Sequence, residues 1–246
     1  MTGKKKKFVI FSQARSGSTL LRLSLHAHSH IVCHGEVLSR QWINGLVPLD
    51  NPVEERSSRE SVEALLPMRE KDPIDFLERY VWPFDSAVVG FKLVLEDFFK
   101  SEHKARYQDY LGSEGVLPVI LYRRDQLANY ASRVRMATYN IKHEVTEAAA
   151  LAESGHQKID IALPTLERFV AEQKEYLSAL RDLLRHPVLM TYEDLQDDYP
   201  RLLARLGVPD QSFTEKLVKT SPDDLSHVVH DYERLRQSGD FEIELS

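Results

Sequence analysis

The chain has 246 residues, of which 42% are hydrophobic and 28% charged, and this suits one globular α/β domain spanning 1–246. The net charge of −6 gives no electrostatic basis for binding nucleic acid, and no stretch approaches the roughly 20 apolar residues of a transmembrane helix. A single cysteine, Cys33, excludes an intrachain disulfide and suits a reducing compartment, so we expect a cytoplasmic protein.

Short, continuous apolar runs predict strands that are buried on both faces. In chain order these runs are 8–12, 31–33, 87–95, 116–122 and 188–191. Helical patterns lie between and after them, at 19–28, 61–82 with breaks at Pro67 and Pro73, 102–111, 125–139, 165–185, and in a last helix ending near Gly207. The segment 41–59 has two prolines and little periodicity, which predicts a surface excursion.

This alternation of strands and helices predicts a central parallel sheet flanked by helices. Ligands of such sheets bind beyond the carboxyl ends of the strands. Two polar turns fall at that edge, one after the first strand and one after 116–122. We therefore look for the functional site in these two turns.

The first turn lies in the strand-turn-helix sequence FVIFSQARSGSTLL and consists of Arg15, Ser16, Gly17, Ser18 and Thr19. The start of a helix offers unpaired N–H groups and a positive dipole end, which favour an anion. The glycine allows close approach of the backbone, the hydroxyls add donors, and the arginine adds a planar cation that suits phosphate or sulfate. An ordinary helix cap would use the same residue types.

The turn differs from the nucleotide triphosphatase loop GxxxxGK[ST], because it has no lysine at the start of the helix. No later aspartate is placed on an apolar strand as a magnesium ligand would be. These two differences disfavour a magnesium-dependent kinase.

The second turn belongs to VILYRRDQLANYASRVRMA, where Arg123 and Arg124 end a strand and Ser132 lies two helical turns beyond Arg124. Such an arginine and serine can converge on one phosphate monoester. Two solvated arginines and an unrelated helical serine are the alternative.

Together the two motifs resemble the cofactor-binding elements of the sulfotransferases that use 3′-phosphoadenosine 5′-phosphosulfate (PAPS), and RSGSTLL is most similar to the bacterial and carbohydrate enzymes. The resemblance implies a P-loop-like α/β fold and places the 5′-phosphosulfate at Arg15 to Thr19. It places the 3′-phosphate at Arg124 and Ser132. Gly35-Glu36, Gly90-Phe91-Lys92 and VLMTYEDL resemble further parts of these enzymes.

By this resemblance, the chain transfers a sulfuryl group to an acceptor hydroxyl, expected on a carbohydrate, and releases adenosine 3′,5′-bisphosphate (PAP) without a metal. Glu36 is the expected general base and Arg15 the cation beside the bridging oxygen; a structural loop glutamate is the alternative for Glu36. His34 is an alternative base or an acceptor contact. A nucleotide-dependent kinase and a non-catalytic nucleotide-binding module remain competing functions.

Several other residues have two interpretations. His26, His28, His30 and His34 are close in sequence, but helical spacing points alternate rings to opposite faces, which disfavours a metal site.

Lys92 either reaches the sulfuryl group or, as we favour slightly, extends to solvent. The segments 40–85 and 140–165 match no motif and are expected to bind the acceptor, where Trp42 and Trp82 either stack on sugars or are simply packed.

Overall fold

The protein is built on a sheet of five parallel strands in the order β2-β3-β1-β4-β5. The structure, a computed structural model, describes residues 5–47, 64–113, 115–139, 158–214 and 224–245. The strands are β1 (Lys6–Ser12), β2 (Ile31–His34), β3 (Val88–Val94), β4 (Val116–Tyr122) and β5 (Val188–Thr191). The predicted α/β class with a central parallel sheet flanked by helices is therefore confirmed.

Helices cover the sheet and connect its strands. They are α1 (Ser18–His26), α2 (Leu66–Lys71), α3 (Pro73–Phe76), α4 (Leu95–Phe99), α5 (Lys104–Leu111), α6 (Gln126–Tyr139), α7 (Leu163–Leu183), α8 (Leu195–Leu206) and α9 (Tyr232–Ser238), with a π-helical turn at Leu77–Val81 and a 3₁₀ turn at Leu225–His227. Within the described ranges, none of these helices has the length and apolarity needed to cross a bilayer.

The central strand β1 is buried on both faces, and this explains why its apolar run is continuous. Val9 and Phe11 pack into the core on one face of the sheet, whereas Phe8 and Ile10 pack into the core on the other face. Since successive side chains of a strand point to opposite faces, a strand covered on both sides needs apolar residues at every position. The prediction of a doubly buried first strand is confirmed.

The strands end together at one edge of the sheet. Ser12, the last residue of β1, is in register with Val94 of β3 and Leu121 of β4. His34, the last residue of β2, is in register with Phe91. The segments that follow β1, β2 and β4 therefore start from the same edge, and these segments contain the predicted functional residues.

Two prolines interpreted as helix breaks are found at the starts of helices instead. Pro67 occupies the first turn of α2 and Pro73 is the first residue of α3. Proline suits these positions because the first N–H groups of a helix have no partner within the helix and its fixed φ is already helical. The segment 61–82 is therefore a series of short helices, of which residues 61–63 lie outside the described part.

Two further expectations need correction. The sequence predicted one helix at 102–111, but α4 begins immediately after β3 and precedes α5. The predicted surface excursion at 41–59 is partly wrong, because Ile43, Leu46 and Val47 are buried in the core. Residues 48–59 of that excursion, and with them parts of the expected acceptor segments 40–85 and 140–165, lie outside the described residues.

Candidate functional site

The turn between β1 and α1 is tightly built around Gly17. This residue is the N-cap of α1 and has φ 77°, a left-handed conformation that costs glycine little. A Cβ atom at this position would lie 2.5 Å from Cδ2 of Tyr192, so only glycine fits against that ring. Because glycine has no capping side chain, the first N–H groups of α1 are available to an anion.

A network of buried glutamines fixes the start of this turn. Nε2 of Gln13 donates to Oε1 of Gln126 at 3.0 Å and to Oε1 of Gln173 at 3.1 Å. The backbone N–H of Arg123 donates to Oε1 of Gln13 at 3.0 Å. The network joins the segment after β1 to the segment after β4, so the two predicted anion-binding turns are held together.

Arginine side chains gather at this junction. Arg15 has φ 66°, and its Nε donates to Oγ of Ser132 at 3.0 Å. The guanidinium of Arg123 lies 4.7 Å from the ring centroid of Tyr192. Burial, followed by the positive charges of Arg123 and Arg135, lowers the pKa of Arg15 to about 10. Such a concentration of positive charge in a partly buried site favours a ligand with several negative charges.

Arg124, the arginine assigned to the 3′-phosphate, has a different partner from Ser132. It forms a two-pronged ion pair with Asp194, with N···O distances of 2.6 and 3.1 Å, while Ser132 bonds to Arg15. Asp194 also accepts from Oγ1 of Thr191 at 3.0 Å. The structure thus brings Ser132 to the first turn and places Arg124 against the turn after β5.

A lysine connects Glu36 to the first turn. Its Oε1 is 2.8 Å from Nζ of Lys92, which also donates to Oγ1 of Thr19 at 3.1 Å. The side chain of Lys92 is only 7% exposed, so the interpretation that it extends to solvent is wrong. The segments after β2 and β1 therefore meet at Lys92 of β3, and a carboxylate lies next to the predicted anion-binding turn.

His34 is held in the core as a neutral imidazole. Its Nδ1 accepts from the N–H of Val47 at 3.0 Å, and its Nε2 lies 3.0 Å from the carbonyl oxygen of Val81, to which it donates. Burial lowers its pKa from 6.5 to about 3. Because both ring nitrogens have partners, His34 joins β2 to neighbouring segments, and this arrangement favours Glu36 over His34 as the base.

The neighbouring histidines also bond to the backbone. Nδ1 of His26 accepts from the N–H of Cys33 at 3.3 Å, and Nε2 of His28 lies 3.0 Å from the carbonyl oxygen of Pro209. Among the residues that the structure describes, no group of three metal-ligating side chains comes together.

The buried histidine leads to a prediction about acid stability. Between pH 6.5 and about 3, the unfolded chain binds a proton at His34 that the folded chain does not bind, so acidification in this window lowers the free energy of unfolding. One such proton contributes about 1.4 kcal/mol per pH unit. We expect the melting temperature of His34→Gln to fall less steeply from pH 7 to pH 4 than that of the wild type. Parallel melting curves would contradict the neutral, buried imidazole.

The chain matches no protein-family model and no curated protein. Among solved structures it is similar to a sulfotransferase from Alicyclobacillus acidocaldarius, with 16% sequence identity and a TM-score of 0.42, over 90% of this chain and 88% of that one. The fold and the site define an α/β protein with a strongly basic turn and an adjoining carboxylate at the carboxyl edge of its sheet.

Proposed function

We propose that this protein is a sulfotransferase that moves a sulfuryl group from PAPS to a hydroxyl of a carbohydrate. The observation that carries the proposal is the contact of Lys92 with both Thr19 and Glu36. This contact places a carboxylate, the group needed to take a proton from a hydroxyl, beside the turn that suits the anionic donor.

The residues around the first turn fit such a donor. The N–H groups at the start of α1, together with Ser16, Gly17, Ser18 and Thr19, hold its 5′-phosphosulfate, and Arg15 lies beside the bridging oxygen. The 3′-phosphate is held by Ser132 and by the arginines after β4. Arg124 leaves its ion pair with Asp194 and binds the 3′-phosphate. Arg123, whose guanidinium lies over the ring of Tyr192, contributes a second positive charge. Burial and, after it, repulsion from Arg123 and Arg135 lower the pKa of Arg15, and the negative charges of the donor relieve the repulsion.

In the proposed reaction, the donor supplies the sulfuryl group and its phosphate is the leaving group. Glu36 accepts the proton of the acceptor hydroxyl as its oxygen bonds to sulfur, and the bond from sulfur to the phosphate oxygen breaks in line. Arg15 and the N–H groups of α1 stabilise the negative charge that develops on that oxygen, and donors fixed in advance are effective in this role. The products are a sulfate ester and PAP.

The competing functions make different demands on the site. A nucleotide-dependent kinase would use a lysine in the first turn to hold the transferred phosphate, and the turn has Arg15 and no lysine. A non-catalytic nucleotide-binding module needs no base. The placement of Glu36 next to the turn therefore favours the transferase over the module.

Transfer of radiolabelled sulfate tests the proposal directly. We expect purified protein to transfer label from PAPS to a hydroxylated glycan in the presence of EDTA. Label that stays on the donor with every glycan tested, or turnover of ATP that requires a divalent ion, would overturn the proposal.

Binding measurements test separately whether the protein has a site for the 3′-phosphate of the donor. By calorimetry, the protein should bind PAP far more tightly than AMP, and Arg124→Ala should remove most of this difference. A hydrogen bond to a charged group contributes roughly 1.5–3 kcal/mol, which corresponds to a loss of about 10- to 150-fold.

The matched control for this measurement is Asp194→Asn, which keeps the shape of the side chain and removes the charge that competes for Arg124. It should bind PAP at least as tightly as the wild type. Equal affinities of the wild type for PAP and AMP would contradict the 3′-phosphate site.

A further inference from the structure

Trp42 is a large apolar side chain that the described part of the chain leaves exposed, at 47%. The other tryptophan, Trp82, is 3% exposed and simply packed in the core. A single exposed apolar residue is unremarkable by itself, so its meaning depends on how the surrounding loop is built.

The loop that contains Trp42 is held by a buried arginine. Arg69 is 3% exposed, and its Nη1 donates to the carbonyl oxygen of Trp42 at 2.7 Å and to that of Ser39 at 2.5 Å. Its Nη2 pairs with Glu70 at 2.5 Å. Burying a guanidinium is costly unless its donors are used, and here they hold the backbone of Trp42 in a fixed position.

The same loop closes on the proposed base. The N–H groups of Ser39 and Asn44 both donate to the carbonyl oxygen of Glu36 at 3.3 Å. Trp42 lies between these two residues in sequence, so its backbone belongs to a short loop anchored on Glu36 at one side and on Arg69 at the other.

A polar cavity of about 270 Å³ adjoins this loop. Ser39, Arg40, Ser101, His103 and Tyr107 are among the residues that line it. Its volume and its many donors and acceptors suit a small, hydroxyl-rich group. Ser39 is part of the loop, Arg69 binds the loop, and both residues line the cavity. The cavity wall and the backbone of Trp42 are therefore held by the same contacts.

We propose that Trp42 and this cavity form a sugar-binding subsite, in which one pyranose ring stacks on the indole and neighbouring hydroxyls bind the cavity. A pyranose has an apolar C–H face and a polar rim, and these two features match an exposed aromatic ring on a loop that also contributes to a polar cavity. The proposal deepens the proposed function and rests on it for the meaning of Glu36, because the subsite would place the acceptor next to the base.

Iodide quenching of tryptophan fluorescence tests the subsite without relying on activity. Iodide reaches exposed Trp42 and not buried Trp82, so the quenchable emission comes from Trp42 and is absent in Trp42→Ala. We expect cellotetraose, maltotetraose or chitotetraose to protect Trp42 from iodide. Unchanged quenching with all three oligosaccharides would overturn the proposal.

Kinetics then separate this proposal from the proposed function. With a glycan that accepts sulfate, Trp42→Ala should raise the KM for the glycan about 3- to 10-fold, the range of one aromatic contact, and leave the affinity for PAP unchanged. Trp42→Phe should restore part of the loss. An unchanged KM in an active enzyme overturns the subsite alone, whereas protection from iodide without any sulfuryl transfer overturns the proposed function and leaves the subsite standing.

Discussion

Glu36→Gln should lower the turnover of sulfuryl transfer by about 10²- to 10⁴-fold, the contribution of a positioned general base. A sugar hydroxyl is a weak nucleophile near neutral pH and needs to lose its proton as it attacks. Glutamine keeps the shape and can still accept a hydrogen bond from Lys92, but it cannot take up the proton. The affinity for PAP should remain nearly unchanged, because Glu36 acts on the acceptor. Initial rates with labelled PAPS, combined with calorimetry, measure both quantities.

Glu96→Gln is the matched control for this prediction. Glu96 also follows a strand end, since it lies in the first turn of α4, and it is paired with Arg133 at 2.5 Å, but it has no part in the proposed reaction. Its substitution should change turnover by no more than about threefold, within the cost of an ordinary partly exposed ion pair. His34→Ala should also have a smaller effect on turnover than Glu36→Gln. If Glu36→Gln retains wild-type turnover and His34→Ala abolishes it, the base is His34.

Arg15→Met should weaken the binding of PAP strongly, about 10- to 150-fold for the loss of one hydrogen bond to a charged group. Turnover should fall further, because the same guanidinium stabilises charge on the leaving oxygen and removing one such donor costs about 10²–10³-fold. Methionine fills a similar volume beside Ser132 and Met136, which Arg15 contacts in the structure. Calorimetry and initial rates separate the two losses.

The stability of the ligand-free protein distinguishes a binding role for Arg15 from a structural one. Burial and the neighbouring charges of Arg123 and Arg135 lower the pKa of Arg15, so the folded chain holds its charge at a cost. Arg15→Met removes that cost, and its melting temperature should not fall below that of the wild type. Arg133→Met serves as the control that keeps full affinity for PAP. A large drop in melting temperature together with unchanged affinity would show that Arg15 is structural.

The sequence was sufficient to predict the sheet, but not the contacts among the residues of the proposed site. Continuous apolar runs identified all five strands, since their burial on both faces is a local signal. The turn at Gly17 was visible because polar residues follow an apolar strand end, whereas Glu36 was singled out by the resemblance of Gly35-Glu36 to a pair in related enzymes.

The contacts that join these elements depend on residues far apart in the chain. Gln13 meets Gln126 and Gln173, and no local pattern indicates that three glutamines share a buried network. Tyr192 belongs to the VLMTYEDL motif, and no local pattern indicates that its ring limits position 17 to glycine. The pairing of Ser132 with Arg15 was also missed, because helical spacing relates Ser132 only to residues on its own helix.

Because of the order of the strands, the turn after β1 and the loop after β2 tolerate amino-acid substitutions to different extents. β1, which leads into the proposed donor-binding turn, has a strand on each side. In the described part of the chain, β2, which leads into the loop of Glu36 and Trp42, pairs only with β3 and lies at the edge of the sheet. Substitutions near the first turn disturb the centre of the sheet and its buried network, while those at exposed positions of the loop after β2, such as Trp42, disturb only its margin. Under the proposed function, a lineage of such proteins can therefore exchange one acceptor for another by changing the margin of the sheet, while the donor remains the same.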